Sequence, residues 1–375
     1  MATLTHLRRV SVPYRRRRAG RSLPAVRVGV IGYGYWGPNL VRNFAEIAGA
    51  DVVAVSDMSV ERLELVQARH PTVAVTTDSH DLLRDPEIDA VVVATPVGTH
   101  YRLGMEVLQA GKHLLMSKPL TDRSEDAARL VEAAAERNLV LMVDHTFLYT
   151  GAVRKIKELV AGGSLGRPQY YDSVRVNLGL CQHDVSVLWD LAVHDLSIMD
   201  YVLEASPCAV AATGATHVPG HPASMAYLTC FFAGDLIAHH HVNWLAPVKV
   251  RRTLIGGDRQ MILYDDLEPS EKVKVYDRGV TLKSGREHVY ESLVGYRMGD
   301  MWAPQVSLAE GLRTEAQHFV ECVRNGVRPL TDGAAGLRLV RILEAAGESL
   351  RQRGLPVDVV PTGEDVRTVQ ASGSA

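Results

Sequence analysis

The stretch "VRVGVIGYGYWGPNLVRNF", residues 26–44, decides the fold. It opens on a β-branched run, Val26 to Ile31. Gly32, Gly34 and Gly37 follow in GxGxxG spacing, and a helical pattern starts at Pro38. Proline suits a first helical turn, where its missing N–H would have no partner anyway. Glycines so placed allow a tight turn. They also let a pyrophosphate approach the backbone N–H groups at a helix N-terminus. The spacing alone is common in loops; a strand before it and a helix after it make it a dinucleotide signal. Gly32, Gly34 and Gly37, with Tyr35 and Trp36 inside the turn, are the expected cofactor contacts.

Working outward, "DVVAVSD" ends a second strand at Asp57, twenty residues past Gly37. An acid there accepts hydrogen bonds from ribose hydroxyls and repels a 2′-phosphate, which favours NAD over NADP. The alternation continues through "AVVVAT", "HLLMSKP" and "LVLMVDH", with helical stretches between. Apolar runs of this kind belong to a parallel sheet covered on both faces. A doubly wound sheet of about six strands is expected over residues 26–147. Ligands of such sheets sit beyond the strand C-termini. Thr95, Pro96, His100, Ser117 and Lys118 fall at those ends and join the cofactor set. Lys118 precedes Pro119, and a fixed backbone is what a positioned ammonium needs.

From about residue 148 the alternation stops. An amphipathic helix, "AVRKIKELVAGGSLG", leads into "PQYYDSVRVNLG" and then a strand-rich region to about 290. Successive strands predict one mostly antiparallel sheet. The expected architecture is α/β: an N-terminal Rossmann sheet, then a substrate domain over 148–355 with a large open sheet. A disordered tail is expected over 356–375.

The 375 residues carry a formal net charge of −2. Seven arginines and no acid lie in "RRVSVPYRRRRAGR", residues 8–21; the remainder holds 34 basic against 43 acidic residues. The arm, residues 1–25, lacks the apolar core of a secretory signal and reads as disordered. The rest is mildly acidic, which argues against a nucleic-acid partner. No apolar run approaches the roughly 18 residues of a membrane helix. Cys181, Cys208, Cys230 and Cys322 form no CxxC pair, which fits free thiols in a reducing cytoplasm.

"VLWDLAVHDLSIMD", residues 187–200, reads as a helix with Asp190 and His194 on one face. The pair suits a metal, a buried structural histidine or acid/base chemistry. No third metal ligand stands at motif spacing, and no metal is expected. Oxidising an alcohol by hydride loss also removes a proton from oxygen, and imidazole titrates in the useful range. A nearby ammonium such as Lys118 can stabilise the developing alkoxide. Lys118, Asp190 and His194 are therefore the catalytic candidates, provided that they converge before a nicotinamide. "HHH", residues 239–241, alternates faces in a strand and reads as half-exposed histidines.

"VGVIGYGYWGPN", "VVATPVGTHYRLGMEVLQAGKHLLMSKPL" and "WDLAVHD" together resemble the Gfo/Idh/MocA oxidoreductase family, from about residue 26 to 355. Within it, "HTFLYTGAVRKIKELV" and "RPLTDGAAGLRLVRILEAA" are similar to the nucleotide-sugar 3-dehydrogenase branch. The resemblance implies Lys118, Asp190 and His194 as catalytic residues. It implies Lys118, Tyr149, Arg175, Asn177 and His194 facing a sugar or nucleotide-sugar, and a homodimer or homotetramer built on the open sheet. Two departures stand out. Ser117-Lys118-Pro119 replaces the family's Glu-Lys-Pro, and Tyr149-Thr150-Gly151 replaces Tyr-Asn-Pro. The resemblance implies oxidation or reduction at C3 of an activated sugar. A cyclitol, a keto-sugar and a non-catalytic cofactor sensor are the alternatives.

Overall fold

The computed structural model describes residues 24–179, 184–277, 279–282 and 294–360. The basic arm, Cys181 and residues 361–375 lie outside the described residues. The chain divides into two compact units, one of residues 1–146 and 310–340, the other of 147–309 and 341–375.

The first unit alternates strand and helix. Its elements are β1 (Val26–Ile31), α1 (Gly37–Glu46), β2 (Ala50–Ser56), α2 (Val60–Arg69), β3 (Ala74–Thr76), α3 (Ser79–Arg84), β4 (Ala90–Val93), α4 (His100–Gln109), β5 (His113–Ser117), α5 (Ser124–Glu136) and β6 (Leu141–Asp144). The strands form one parallel sheet in the order β3-β2-β1-β4-β5-β6. Val28, Val30 and all of β4 are fully buried, because helices cover both faces of such a sheet. Each such side chain contributes about 1.5–3 kcal/mol on burial. The strand order reverses between β1 and β4, the point where such sheets open a ligand crevice at the strand C-terminal ends. The edge strand β3 escapes a reading by periodicity because three residues show none.

In the second unit, α6 (Gly151–Ala161) and β7 (Pro168–Leu178) precede a π-helical turn (Leu188–Ala192) that runs into α7 (Val193–Leu203). Then come β8 (Ala209–Ala215), β9 (Met225–Phe231), β10 (Ile237–Asn243), β11 (Leu245–Gly257), β12 (Met261–Asp265), β13 (Val273–Tyr276), β14 (Gly279–Leu282), β15 (Val294–Arg297) and β16 (Met301–Trp302). Helix α8 (Gly311–Asn325) belongs to the first unit. Helix α9 (Gly333–Arg351) and β17 (Val357–Asp358) close the described chain. Nine strands make a second sheet in the order β16-β13-β12-β11-β7-β10-β9-β8-β17. Only β7 and β10 pair in parallel, so the sheet is mostly antiparallel as expected. Along β10, His240 is buried against the Ser173 hydroxyl at 2.8 Å. His239 and His241 are half-buried on the opposite face and stack on Tyr227.

Two boundaries differ from expectation. Residues 310–340 return to the first unit, because Leu312, Ala316, Phe319 and Val320 give α8 a buried stripe, with Phe319 edge-on to Phe44 of α1 at 6.0 Å. The tail is ordered further than 356, because Val357 and Asp358 pair with Val210 and Ala209 at the sheet edge. Strand β8 itself was hidden by its alanine-rich composition, "AVAATGA".

Candidate active site

The glycine turn needs two of its three glycines for its own geometry. Gly32 has φ of +98°, and a Cβ there would lie 2.5 Å from the Ala94 carbonyl oxygen. At Gly37 a Cβ would lie 2.3 Å from the Gly32 oxygen. At Gly34 it would meet only the Arg62 guanidinium, at 3.7 Å. The space beside Gly34 is therefore open, as a cradle for a pyrophosphate requires. Asp57 sits just past β2 and is 8% exposed. Its Oδ2 accepts the Tyr33 N–H at 2.7 Å and its Oδ1 the Ser59 N–H at 2.9 Å, which fixes the carboxylate beside the glycine turn. Arg62 stands 3.5 Å from the same carboxylate. Tyr35 is 88% exposed.

Trp36 does something that the sequence did not announce. Its Nε1 donates to Asp144 Oδ2 at 2.5 Å, and Thr146 donates to Asp144 Oδ1 at 2.6 Å. Because β4 and β5 lie between β1 and β6, this bond ties the glycine turn to the far side of the crevice. Beside Asp144 lies the fully buried Glu315 of α8. Burial, then the charge of Asp144, pushes the Glu315 carboxyl well above the usual carboxylate range. No spacing rule would have singled out Glu315, an acid in an ordinary amphipathic helix.

Ser117 pairs in register with Asp144, so Lys118 and His145 follow side by side at the ends of β5 and β6. Lys118 is half-buried and joined to Pro119 by a cis peptide bond. Burial, then the Lys118 ammonium, pushes the His145 imidazole down to about 3. His145 is therefore neutral across the physiological range. Its two ring nitrogens and the Ser117 hydroxyl oxygen are buried without a hydrogen-bond partner among the described residues. Polar atoms left this way call for a ligand or water. With the open cradle at Gly34, they fit a dinucleotide lying along this edge. Thr95 and Pro96 follow β4, and the Thr95 hydroxyl meets that of Thr99 at 2.6 Å. His100 is 1% exposed. Its ring nitrogens face the carbonyl oxygens of Pro119 and Thr95 at 2.9 and 2.8 Å. Burial lowers its pKa against the pull of those oxygens.

In the second unit, Asp190 lies inside the π-helical turn and His194 in the first turn of α7, both half-buried. Single π turns recur at functional sites. Trp244 Nε1 donates to Asp190 Oδ2 at 2.9 Å. On β7, Tyr171, Ser173, Arg175 and Asn177 share one face. Arg175 is 3% exposed and grips Asp195 with two bonds, Nε–Oδ2 at 2.8 Å and Nη2–Oδ1 at 3.0 Å. Burial works against that guanidinium's charge, and Asp195, with Tyr264 and Asp266, more than offsets it. Tyr149 is 2% exposed, with the Arg154 guanidinium over its ring at 5.4 Å. Asn177 is half-buried, and its amide and the Trp244 ring both flank Gly179. Trp244, Asp195 and Phe147 are absent from the sequence-based set, since no motif spacing marks a tryptophan between two strands, an acid beside a histidine or a phenylalanine after β6. Among the described residues no cluster of His, Cys, Asp and Glu is arranged to hold a metal.

Residues 26–145 match the family model described as an oxidoreductase family with an NAD-binding Rossmann fold. Residues 153–263 match the GFO/IDH/MocA C-terminal domain. The chain belongs to the Gfo/Idh/MocA oxidoreductase family. Residues 26–145, which carry the glycine turn and Asp57, are thus an NAD-binding Rossmann domain of that family. A UDP-N-acetylglucosamine 3-dehydrogenase of Acidithiobacillus ferrooxidans is 27% identical over 84% of this chain and 94% of its own. Its solved structure superposes with a TM-score of 0.74 at 26% identity, covering 87% of this chain and 98% of that one. A myo-inositol 2-dehydrogenase of Thermotoga maritima is 24% identical over 88% of this chain and 97% of its own. A levoglucosan dehydrogenase solved with NADH and levoglucosan shares the fold, with a TM-score of 0.77 at 20% identity. That likeness covers 90% of this chain and all of the other. Among the described residues no helix is long and apolar enough to cross a membrane.

Proposed function

We propose that the protein interconverts a secondary alcohol and a ketone on a sugar ring, and that its substrate is a nucleotide-activated sugar oxidised at C3. The observation that carries this reading is the near full-length similarity to the Acidithiobacillus ferrooxidans enzyme, joined to an Asp190 carboxylate held by Trp244 one turn from a half-buried His194. The similarity to inositol dehydrogenases favours a cyclitol as the second reading.

Glycines 32, 34 and 37, Asp57 and the ends of β4 to β6 would hold NAD, which accepts a hydride from carbon when bound. His194 takes the hydroxyl proton as the C–H hydride leaves, so that the carbinol becomes a ketone with charge in balance. Lys118 holds the oxygen and stabilises negative charge on it. Asp190 orients the acid/base pair. We read His100 as a brace behind the Lys118–Pro119 turn, since both its nitrogens face carbonyls. Asn177 faces the sugar; Tyr149, nearly buried, shapes the wall behind it. The outer face of the nine-stranded sheet is the proposed contact between copies. Free Cys208, Cys230 and Cys322 agree with a reducing cytoplasm.

The test mixes protein and NAD with UDP-N-acetylglucosamine or myo-inositol and follows the reduced-nicotinamide absorbance. Reduction with the UDP-sugar is expected; reduction with inositol alone selects the cyclitol reading. Lys118→Met and His194→Ala should each lower kcat by about 10²–10⁴-fold while NADH affinity stays within about threefold. If both residues serve one transition state, the double variant should be little worse than either single one. Wild-type turnover in either variant would end its assigned role.

A further inference from the structure

The helix that carries His194 does not by itself fix the plane of the imidazole, because torsion about the last side-chain bond of histidine is broad. Phe147, Arg175 and Asp195 of the second unit bear on that plane. The Phe147 ring meets the His194 ring edge-to-face, with centroids 5.1 Å apart and planes at 70°. The Arg175 guanidinium lies over the same Phe147 ring, 4.5 Å from its centroid. That guanidinium also grips Asp195, the residue after His194, through its two short bonds. The Asp195 main-chain oxygen accepts the Tyr171 hydroxyl at 3.3 Å, and the Ser197 hydroxyl caps the His194 carbonyl at 2.7 Å. Arg251 approaches Phe147 as well, at 5.7 Å, and is held by Asp266 at 3.2 Å.

We propose that Phe147, pinned by Arg175, sets the plane of the His194 imidazole, and that Arg175 is a positioning residue and not a sugar ligand. The inference rests on His194 as the proton acceptor. Arg175 has its edge committed to Asp195 and its face to an aromatic ring, and only 3% of it is exposed. A guanidinium so spent has little left to offer a ligand. An aromatic face attracts the cation, and the ring prefers an edge-to-face neighbour. One arginine thereby fixes both the backbone beside the imidazole and the surface against which it rests. A catalytic group displaced by about 1 Å can cost about 10²-fold in rate.

The experiment compares Phe147→Leu, Phe147→Tyr and Arg175→Lys in the full chain. Phe147→Leu should lower kcat by about 10–100-fold, with KM and NADH affinity within about threefold and an unchanged melting profile. Phe147→Tyr, which keeps the ring, should restore kcat. Arg175→Lys keeps the charge but loses the two-bond grip, and should lower kcat more than it raises KM. A KM rise that exceeds the kcat fall would make Arg175 a sugar ligand and overturn the proposal. So would a Phe147→Leu variant with wild-type kcat, or a Phe147→Tyr variant as slow as Phe147→Leu. Histidine-labelled protein gives a reading without substrate. The His194 ring protons should show an aromatic ring-current shift that Phe147→Leu abolishes and Phe147→Tyr keeps; its absence from the unsubstituted protein overturns the bracket. Full activity of His194→Ala would instead overturn the dehydrogenase roles and leave that spectroscopic result standing.

Discussion

At the turn after β1, a methyl group added to Gly37 would lie 2.3 Å from a backbone oxygen. At the start of α7 the chain makes no such demand on its backbone. There Asp190 is held by Trp244 of the segment after β10, and Asp195, beside His194, by Arg175 of β7. The first site is built from main chain, the second from side chains that arrive from distant strands. A backbone site constrains residue type at fixed spacing. A side-chain site constrains only that some partner of the right chemistry should be near.

The largest expected effect comes from breaking the backbone site. Gly37→Ala forces the turn open, and overpacking against main chain costs about 1–3 kcal/mol or more. NADH binding, followed by fluorescence, should weaken by roughly 10²-fold or beyond, at about 1.4 kcal/mol per tenfold. Gly34→Ala meets only the tip of Arg62 at 3.7 Å and should weaken binding by less than about tenfold. Equal losses in the two variants would contradict the division of labour drawn among the three glycines.

That contrast also explains what could be read in advance. The Rossmann sheet was legible because β1, β4 and β5 are buried apolar runs and because Gly32 and Gly37 can be no other residue. Asp57 was legible from its distance to the turn. Asp190 and His194 read as one helical repeat, but the π-helical winding of Leu188–Ala192 leaves no mark in the residue pattern. The Trp36–Asp144 bond joins positions 108 residues apart, and Arg175–Asp195 joins a strand to a helix. Such pairs are chosen by the fold, and no local period encodes them. The return of α8 to the first unit was missed for the same reason: its buried stripe says that it packs, but not on what.

The cluster at the end of β6 shows side-chain construction inside the first unit, and pH tests it. The Glu315 carboxyl is held well above its ordinary range by burial and by Asp144. The folded protein therefore keeps a proton there that the unfolded chain releases above roughly pH 4.5. Stability from this group is full below that pH and is lost as pH rises toward the folded value. Glu315→Gln removes the requirement for a proton. The variant should be more stable than the parent at pH 8, and its advantage should shrink on acidification, closing near pH 4–5. Melting curves across pH 4–8 measure this. A constant difference at every pH would show that Glu315 is ionised in the fold.

The smallest effect lies at the seam between the two kinds of construction, where the half-exposed Arg62 side chain stands beside the glycine turn. Asp57 is fixed beside the glycine turn by two main-chain N–H groups, and in the proposed binding mode its charge faces the ribose. Arg62 stands 3.5 Å away with 52% of its side chain exposed, and so screens that charge only in part. A 2′-phosphate would feel both: repulsion from Asp57 and attraction to Arg62. Because the Arg62 end is exposed and 3.5 Å away, the pair is worth about 0–1 kcal/mol. Arg62→Ala should therefore leave the KM for NAD within about twofold and raise that for NADP by no more than about fivefold, widening the preference for NAD. The change should fade with added salt, since exposed charges are screened over about 10 Å at 0.1 M. A larger, salt-independent loss of NADP use would mean that Arg62 binds the phosphate directly, and the ribose end would then be a side-chain site like the one at α7.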